Sequence, residues 1–429
     1  MQATVNRHAL DRVPLSIIFD DSTMLVNLNY FFLRDAINLT EEQAPYLASW
    51  KAQMSVTGSI RWEDVPVVHP ESFTREFAQF SLDNDVKGKY SVVPCPAALG
   101  RIDHGLALFS KAQQESWLQM CREMIMPNYD ITPEMMTHTS VVDLDTLQPI
   151  APGLWEQWGW NQLPTDEPER VTDYIALACE ILHNVGLTPT GVTSPGGFGD
   201  PLDFYAKCAE AAVRRVTGNP TPFLFKRVNR EGAVPTPVWY PNRDAGTAMG
   251  EVIASTSDWT GSWTGYDQVN PDRYITADLS GGRMSACIDA GEPAVMISHW
   301  QGFYGMHDDD RRGFNTFKTV VRRLKERDPH GEVSRWRKCS EITNYACAEE
   351  LAEVTVTDHT ILLDLPVQVP ELTLRIRDAE VKGVTVDGRP LTEAGSRRAF
   401  RTEMFYREGG VTLVAFDPAQ RSTTVEIKT

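Results

Sequence analysis

Short apolar runs alternate with amphipathic stretches from residue 13 to residue 326, a pattern typical of β/α units around a mainly parallel sheet. The predicted strands are residues 15–19, 89–93, 135–139, 191–193 and 294–298. The predicted helices are residues 74–84, 110–126, 169–185, 201–216 and 313–327. The clearest of them is 169–185, whose apolar side chains share one face and which ends at Gly186, a residue suited to a helix terminus.

The pattern changes twice in the second half of the chain. Residues 230–270 lack helical periodicity and are rich in Pro, Gly, Thr and Trp, which predicts long loops with short strands. After residue 328, one helix at 340–351 precedes several short strands separated by turn signals such as Asp387-Gly388. We therefore expect an α/β domain over residues 1–335, and a connecting helix with a small all-β sandwich over residues 336–429.

Charge limits the possible partners. The chain has 41 Lys and Arg against 58 Asp and Glu, a net charge of −17, which disfavours binding to nucleic acid or to an anionic membrane. Seven cysteines occur without any Cys-x-x-Cys motif, which excludes a zinc ribbon and offers no disulfide framework. The oligomeric state is left open by the sequence.

Targeting signals are the next consideration. The first residues lack the apolar core of a secretory signal, and no run of about 18 apolar residues could cross a bilayer. As written, the sequence predicts a cytoplasmic protein without a membrane segment. A periplasmic or secreted location is the alternative if a signal was removed before the numbering begins.

Three predicted strands end in residues that can bind metal or transfer protons. These ends are Asp20-Asp21, His138 and His299-Trp300. Each has a simpler reading, since paired Asp residues cap helices, a lone His is often a hydrogen-bonded core residue, and His-Trp can be a packing pair. Because the carboxyl ends of parallel strands share one face, the three together predict a common site.

Five segments resemble the polysaccharide deacetylase (NodB-homology, carbohydrate esterase family 4) superfamily in their order. The segments are FDDS at 19–22, VKGKYSVV at 86–93, PEMMTHT at 133–139, GVTSPGG at 191–197 and VMISH at 295–299. The likeness covers roughly residues 13–330. It implies a deacetylase-like (β/α) barrel of about seven strands, followed here by the β-sandwich.

The resemblance implies roles for four residues. Asp20 would be the general base and His299 the general acid, while Asp21 and His138 would bind a divalent metal ion, zinc or similar. Such an ion, with one coordination position open, polarises a carbonyl and activates bound water. A carboxylate and an imidazole can then transfer the protons.

Two departures from the family pattern bear on this site. The family's second metal-binding His would lie four residues after His138, where this chain has Val142. Asp143 or Asp145 could replace it as an oxygen ligand, although their spacing differs, and Asp143 is the one that we expect to complete the ligand set. The family's Arg in the third motif is replaced by Thr193 or Ser194. A site with only two protein ligands would bind metal weakly.

Aromatic residues on predicted loops suggest a sugar-binding rim, because amphipathic rings stack on the apolar faces of sugars. The substrate-binding candidates are Trp155, Trp158, Trp160, Trp263, Trp300 and Pro195. The simpler interpretation, that these side chains pack loops onto the domain, accounts for about half of such cases.

The leading interpretation is a metal-dependent, carbohydrate-active hydrolase that removes acetyl groups from an N- or O-acetylated sugar. The first alternative is cleavage of a glycosidic bond by a pair of carboxylates on the same fold, because fold does not determine function. The second alternative is a glycan-binding protein without catalysis. Release of acetate, release of reducing ends, or binding without either product distinguishes the three.

Overall fold

The computed structural model describes residues 1–36, 39–40, 42, 63, 65–159, 167–265, 267–305 and 310–429. The helices are α1 (Leu28–Ala36), α2 (Glu71–Asp83), α3 (Lys111–Met120), α4 (Glu156–Gly159), α5 (Pro168–Asn184), α6 (Leu202–Thr217), α7 (Pro271–Tyr274), α8 (Arg283–Asp289), α9 (Trp300–Tyr304), α10 (Arg312–Arg327) and α11 (Cys339–Leu351).

The strands fall into an α/β unit and a β-rich unit. Those of the α/β unit are β2 (Val13–Asp20), β3 (Gly88–Ser91), β4 (Tyr129–Thr132), β5 (Gly191–Thr193), β6 (Phe223–Val228), β7 (Val238–Asn242), β8 (Thr247–Ala254), β9 (Ala294–His299) and β10 (Ser334–Trp336). Those of the β-rich unit are β1 (Gln2–Val5), β11 (Glu353–Thr357), β12 (Thr360–Asp364), β13 (Leu372–Arg377), β14 (Gly383–Val386), β15 (Arg389–Pro390), β16 (Thr392–Glu393), β17 (Met404–Glu408), β18 (Val411–Phe416) and β19 (Ser422–Lys428).

Strand β2 lies in the middle of the first parallel sheet. All eight of its residues are buried, as expected for a strand covered on both faces. It pairs in parallel with β9 on one side, and with β10 and then β3 on the other, while β4 pairs with β3. The register places Asp20 opposite His299. Since partners on adjacent strands point to the same face, this pairing brings two predicted catalytic residues together.

A second sheet has the order β5-β6-β8-β7, in which β7 is antiparallel to β8. Backbone hydrogen bonds join it to the first sheet at two places, from Thr193 N to Pro133 O at 2.9 Å and from Ser255 N to Val295 O at 2.8 Å. The predicted α/β unit with a β-rich unit is therefore confirmed. Its described strands are divided between one parallel sheet and one mixed sheet, and the two sets of hydrogen bonds link the end of β4 to β5 and the end of β8 to β9.

Two predicted elements are corrected by the structure. The strand expected at 135–139 lies earlier, at Tyr129–Thr132, because Pro133 has no N–H to continue the ladder. The region 230–270 contains the eight-residue strand β8, in which Gly250 and Glu251 obscure the apolar pattern. Glu251 is fully buried because Arg227 and the Trp239 indole N–H bind its carboxylate.

The β-rich unit has two five-stranded sheets, as the predicted sandwich requires. Strand β1 pairs antiparallel with β13, so residues 2–5 belong to this unit although the sequence assigned them to the first domain. Strand β10 pairs with β2, so the α/β unit extends to Trp336, one residue beyond the predicted boundary at 335. No helix in the described ranges combines the length and the apolar character needed to cross a bilayer.

Candidate active site

A pocket of about 170 Å³ opens at the carboxyl ends of β2 and β9. Its lining includes acidic, amide and apolar side chains. The lining residues are Asp20, Asp21, Leu28, Asn29, Phe32, Glu134, His138, Gln157, Ser194, Gly196, Trp263, His299 and Gln301. The four residues that the sequence identified as catalytic or metal-binding at strand ends, Asp20, Asp21, His138 and His299, thus converge.

Asp20 is held by a buried lysine. The Lys89 ammonium is fully buried and donates hydrogen bonds to Asp20 Oδ1 at 2.6 Å, Ser91 Oγ at 2.7 Å and the Phe19 carbonyl at 2.9 Å. All three of its protons therefore have acceptors. Burial raises the pKa of Asp20 to about 6, although the charge of Lys89 acts to lower it. The carboxyl group can exchange a proton near neutral pH.

Asp21 and Glu134 both contact His138. His138 Nε2 lies 2.7 Å from Asp21 Oδ1 and 3.4 Å from Glu134 Oε1, and Glu134 Oε2 also accepts a hydrogen bond from the Asp21 backbone at 2.7 Å. Burial alone would raise the pKa of Asp21, but the charge and the hydrogen bond of His138 outweigh it and lower the pKa to about 2. Burial opposes the charged form of His138, yet the two carboxylates raise its pKa well above the usual value.

The loop that carries His138 is anchored by Glu156. The Glu156 carboxylate accepts hydrogen bonds from the backbone N–H groups of Met136, Thr137 and His138 and from the Tyr174 hydroxyl. His138 has a φ of 62°, in the left-handed region that non-glycine residues seldom adopt. The hydrogen bonds to Glu156 hold this uncommon backbone in place. Burial raises the pKa of Glu156 to about 7 against these bonds.

His299 is oriented by Asp258. Asp258 Oδ2 lies 2.9 Å from His299 Nδ1 and accepts the His299 backbone N–H at 3.0 Å. Burial opposes protonation of the ring, but the Asp258 hydrogen bond and the charge of Asp21 raise the pKa of His299 to about 9. The imidazole therefore carries a proton at neutral pH, and Nε2 is left to act on a ligand.

One cluster in the described part of the chain could hold a metal ion. The ligating atoms of Asp21, Glu134 and His138 all lie within 4.8 Å of one another. One imidazole with two carboxylates suits zinc, manganese or a similar ion. Asp143, the predicted third ligand, is not at this site. Its carboxylate caps an exposed turn by accepting from Thr146, and it lines a different pocket.

The predicted aromatic residues take different places in the structure. Trp263 lines the pocket. Trp155 is buried, stacks on Trp158 with ring centroids 4.8 Å apart, and packs against Phe32, so these two tryptophans support the wall rather than line it. Trp160 lies outside the described residues.

Trp300 and Pro195 are not on the pocket surface. Trp300 is only 1% exposed and packs into the aromatic core against Phe19 and Phe77. Its assignment as a substrate-binding residue is corrected to a core role, since Trp300 begins the short helix α9, in which all five residues are buried. Pro195 is buried between Ser194 and Gly196, and these two neighbours line the pocket in its place.

Several site residues escaped the sequence reasoning. They are Lys89, Glu134, Gln157, Asp258 and Gln301. Glu134 could have been predicted as a ligand, because it lies four residues before His138. The predicted ligand, Asp143, was instead taken from the residues that follow His138. The other four carried no local signal of a site.

Comparisons with known proteins identify no family for this chain. No family model and no curated protein sequence matches it. It is similar to solved structures of an alpha-L-fucosidase, with 10% identity, a TM-score of 0.32 and coverage of 99% of this chain and 97% of that one. It is also similar to a glycoside hydrolase family 30 subfamily 8 xylanase from Clostridium acetobutylicum, with 8% identity, a TM-score of 0.32 and coverage of 99% and 98%. An endo-beta1,6-glucanase is similar at 10% identity, with a TM-score of 0.30 and coverage of 100% and 94%.

The expected membership of the polysaccharide deacetylase superfamily is wrong. No family model of that superfamily matches the chain, and the solved structures named above carry the names of a fucosidase, a xylanase and a glucanase. The segments behind the resemblance are short strand ends, and acidic or histidine residues collect at such ends in many unrelated α/β proteins.

Proposed function

We propose that the chain is a carbohydrate-active hydrolase that cleaves a glycosidic bond in the pocket described above. The observation that carries the proposal is the pairing of Asp20 with His299, which are register partners at the ends of β2 and β9 and line one pocket. A carboxylate supported by Lys89 and an imidazolium supported by Asp258 thus face the same space. Hydrolysis needs a proton acceptor and a proton donor that both reach the reacting groups.

In the proposed reaction a water molecule attacks the anomeric carbon while the bond from that carbon to the leaving oxygen breaks. Asp20 accepts the proton that the water loses, and His299 gives its proton to the leaving oxygen. Values near 6 for the pKa of Asp20 and near 9 for that of His299 suit these roles at neutral pH. A single displacement inverts the anomeric configuration, which proton NMR of the first product would detect.

The apolar part of the pocket suits the sugar itself. Trp263, Phe32 and Leu28 are among the lining residues, and the rings of Phe32 and Trp263 pack with centroids 5.7 Å apart. A lining that combines apolar and polar side chains suits a pyranose ring, which presents C–H groups on its faces and hydroxyls at its edge.

We further propose that Asp21, Glu134 and His138 would hold a divalent metal ion, zinc or similar, in place of the set with Asp143. When bound, such an ion supplies Lewis acidity to a coordinated oxygen. His138 Nε2 lies within 2.7 Å of Asp21 Oδ1 and 3.4 Å of Glu134 Oε1, so the three side chains already face one another. Elemental analysis tests the assignment: Glu134→Gln should lose bound metal while Asp143→Asn keeps it. Equal metal content in both variants would contradict it.

The test of the main proposal is the release of reducing ends from a panel of oligosaccharides and aryl glycosides. Asp20→Asn and His299→Gln should each lower kcat by about 100-fold or more, because each removes one proton-transfer group. Asp143→Asn, a change at an exposed carboxylate outside the pocket, is the matched control and should keep the wild-type rate. Acetate release without reducing ends, or glycan binding without either product, would overturn the proposal.

A further inference from the structure

Two glutamines in the pocket have side-chain oxygens without a hydrogen-bond donor. Gln157 and Gln301 both line the pocket and are only 7% and 2% exposed. Among the described residues, neither Gln157 Oε1 nor Gln301 Oε1 has a partner. Buried carboxamide oxygens almost always accept a hydrogen bond, so two unsatisfied ones at the same pocket call for an explanation.

The orientation of the Gln157 amide is set by its NH₂ end. Gln157 Nε2 donates to the His138 carbonyl at 2.5 Å and lies 3.1 Å from His138 Nδ1. A carbonyl oxygen can only accept, so the Gln157 NH₂ group must face the His138 carbonyl and its oxygen must point elsewhere. Gln301 lines the same pocket, and its Oε1 is the buried side-chain atom that lacks a partner in the part of the chain that the structure describes.

Both glutamines thus contribute to the lining of the pocket an acceptor oxygen without a donor from any described residue. The NH₂ end of Gln157 also holds the backbone of His138. The group that satisfies each amide oxygen must be a hydrogen-bond donor, such as a hydroxyl. Ionised carboxylate, phosphate and sulfate groups only accept hydrogen bonds, so they cannot take this place.

We propose that Gln157 and Gln301 accept hydrogen bonds from two hydroxyl groups of the sugar ring at the cleavage position. This inference rests on the proposed glycosidase function and narrows its substrate class to neutral sugars whose hydroxyls are free at the contacted positions. Sugars that are deoxy, O-acylated or oxidised to a carboxylate at those positions are excluded. The two glutamines determine specificity through their oxygens, and Gln157 also positions His138 through its NH₂ group.

The experiment begins with wild-type protein and 4-nitrophenyl glycosides of neutral hexoses and pentoses. For the glycoside that is cleaved fastest, each monodeoxy derivative is then compared with the parent. Removing a hydroxyl that binds a buried acceptor should lower kcat/KM by about 10- to 1,000-fold at two ring positions, and by much less elsewhere. This arm needs no variant and does not depend on whether a variant folds.

Variants separate recognition from positioning. Gln301→Met and Gln157→Met should each lower kcat/KM for the parent, and each should remove the discrimination against one deoxy derivative. Gln148→Met, at an exposed glutamine outside the pocket, should leave both rates unchanged. If the variants lower the rates for parent and deoxy substrates by the same factor, the glutamines only position the acidic cluster and the inference is overturned.

Failure of the inference and failure of the proposed function give different results. If no glycoside is cleaved by the wild type and no reducing ends appear, the glycosidase proposal itself fails. If glycosides are cleaved but every monodeoxy derivative reacts as fast as its parent, the glycosidase proposal stands and hydroxyl recognition by Gln157 and Gln301 is refuted.

Discussion

Replacing Lys89 by Met should lower the free energy of unfolding far more than replacing Lys87 by Met. Lys89 is fully buried, and its ammonium supplies hydrogen bonds to Asp20, Ser91 and the Phe19 carbonyl. Met fills a similar volume but leaves a buried carboxylate and two further acceptors without a donor. Breaking a buried ion pair in this way costs about 3 to 5 kcal/mol.

The matched control is Lys87→Met. Lys87 reaches the exposed Asp85 carboxylate at 3.6 Å, and 65% of the Asp85 side chain is accessible to solvent. Such surface pairs contribute less than about 1 kcal/mol. Urea unfolding followed by tryptophan fluorescence should therefore show a much lower midpoint for Lys89→Met, and nearly the wild-type midpoint for Lys87→Met.

The pH dependence gives a second readout of the same contact. Without Lys89, burial raises the pKa of Asp20 further above its value in the unfolded chain. The folded variant then binds more protons than the unfolded one, so its stability falls as pH rises above about 4. The stability gap between Lys89→Met and wild type should widen from pH 5 to pH 8. Adding Asp20→Asn to the variant should remove this widening.

Two results would refute the reasoning. One is a Lys89→Met midpoint equal to that of Lys87→Met, which would mean that the buried lysine and Asp20 do not depend on each other. The other is a stability gap that stays constant with pH, which would mean that Asp20 is not the group left without its partner.

Three further predictions concern other parts of the α/β unit. Burial lowers the pKa of His69 from 6.5 to about 3, so at pH 5 this side chain takes up a proton in the unfolded chain but not in the folded one. The free energy of unfolding should therefore fall by about 2 kcal/mol between pH 7.5 and pH 5. Urea unfolding at the two pH values should show that His69→Phe removes this contribution. In Asp258→Asn the decrease in rate at high pH should begin below pH 9, because His299 loses the carboxylate that keeps it protonated. An unchanged decrease at high pH would contradict the role of His299 as the proton donor. Trp300→Ala should lower the free energy of unfolding by about 3 to 5 kcal/mol, because Trp300 packs in the aromatic core. Trp263→Ala should weaken glycan binding with little change in Tm, because Trp263 lines the pocket. The reverse pattern would mean that Trp263 is the core residue and Trp300 the binding residue.

Local periodicity was sufficient for much of the fold. The helix Pro168–Asn184 and the strands Val13–Asp20 and Ala294–His299 follow from apolar spacing that each segment contains by itself. The strand Thr247–Ala254 could not be predicted, because Glu251 interrupts its apolar run. Only the pairing with Arg227 and Trp239 makes that buried carboxylate acceptable.

In the candidate site, too, some residues could be predicted from the sequence and others could not. Asp20, Asp21 and His299 were accessible from the sequence because each ends an apolar strand, and the ends of parallel strands meet at one face. Glu134 was missed as the partner of Asp21, 113 positions away along the chain, and Asp143 was chosen in its place on spacing alone. A turn closed by hydrogen bonds to Thr146 keeps the Asp143 carboxylate at the surface.

The sequence by itself determined which segments become strands and helices, and that acidic and imidazole groups collect at the strand ends. The tertiary structure alone decided that Lys89 binds Asp20, that Asp258 binds His299, and that Gln157 and Gln301 surround the cluster. The physical reason is range: secondary structure depends on contacts within a few residues, whereas the charge state and orientation of a buried side chain depend on groups that only the packing of distant segments brings to it.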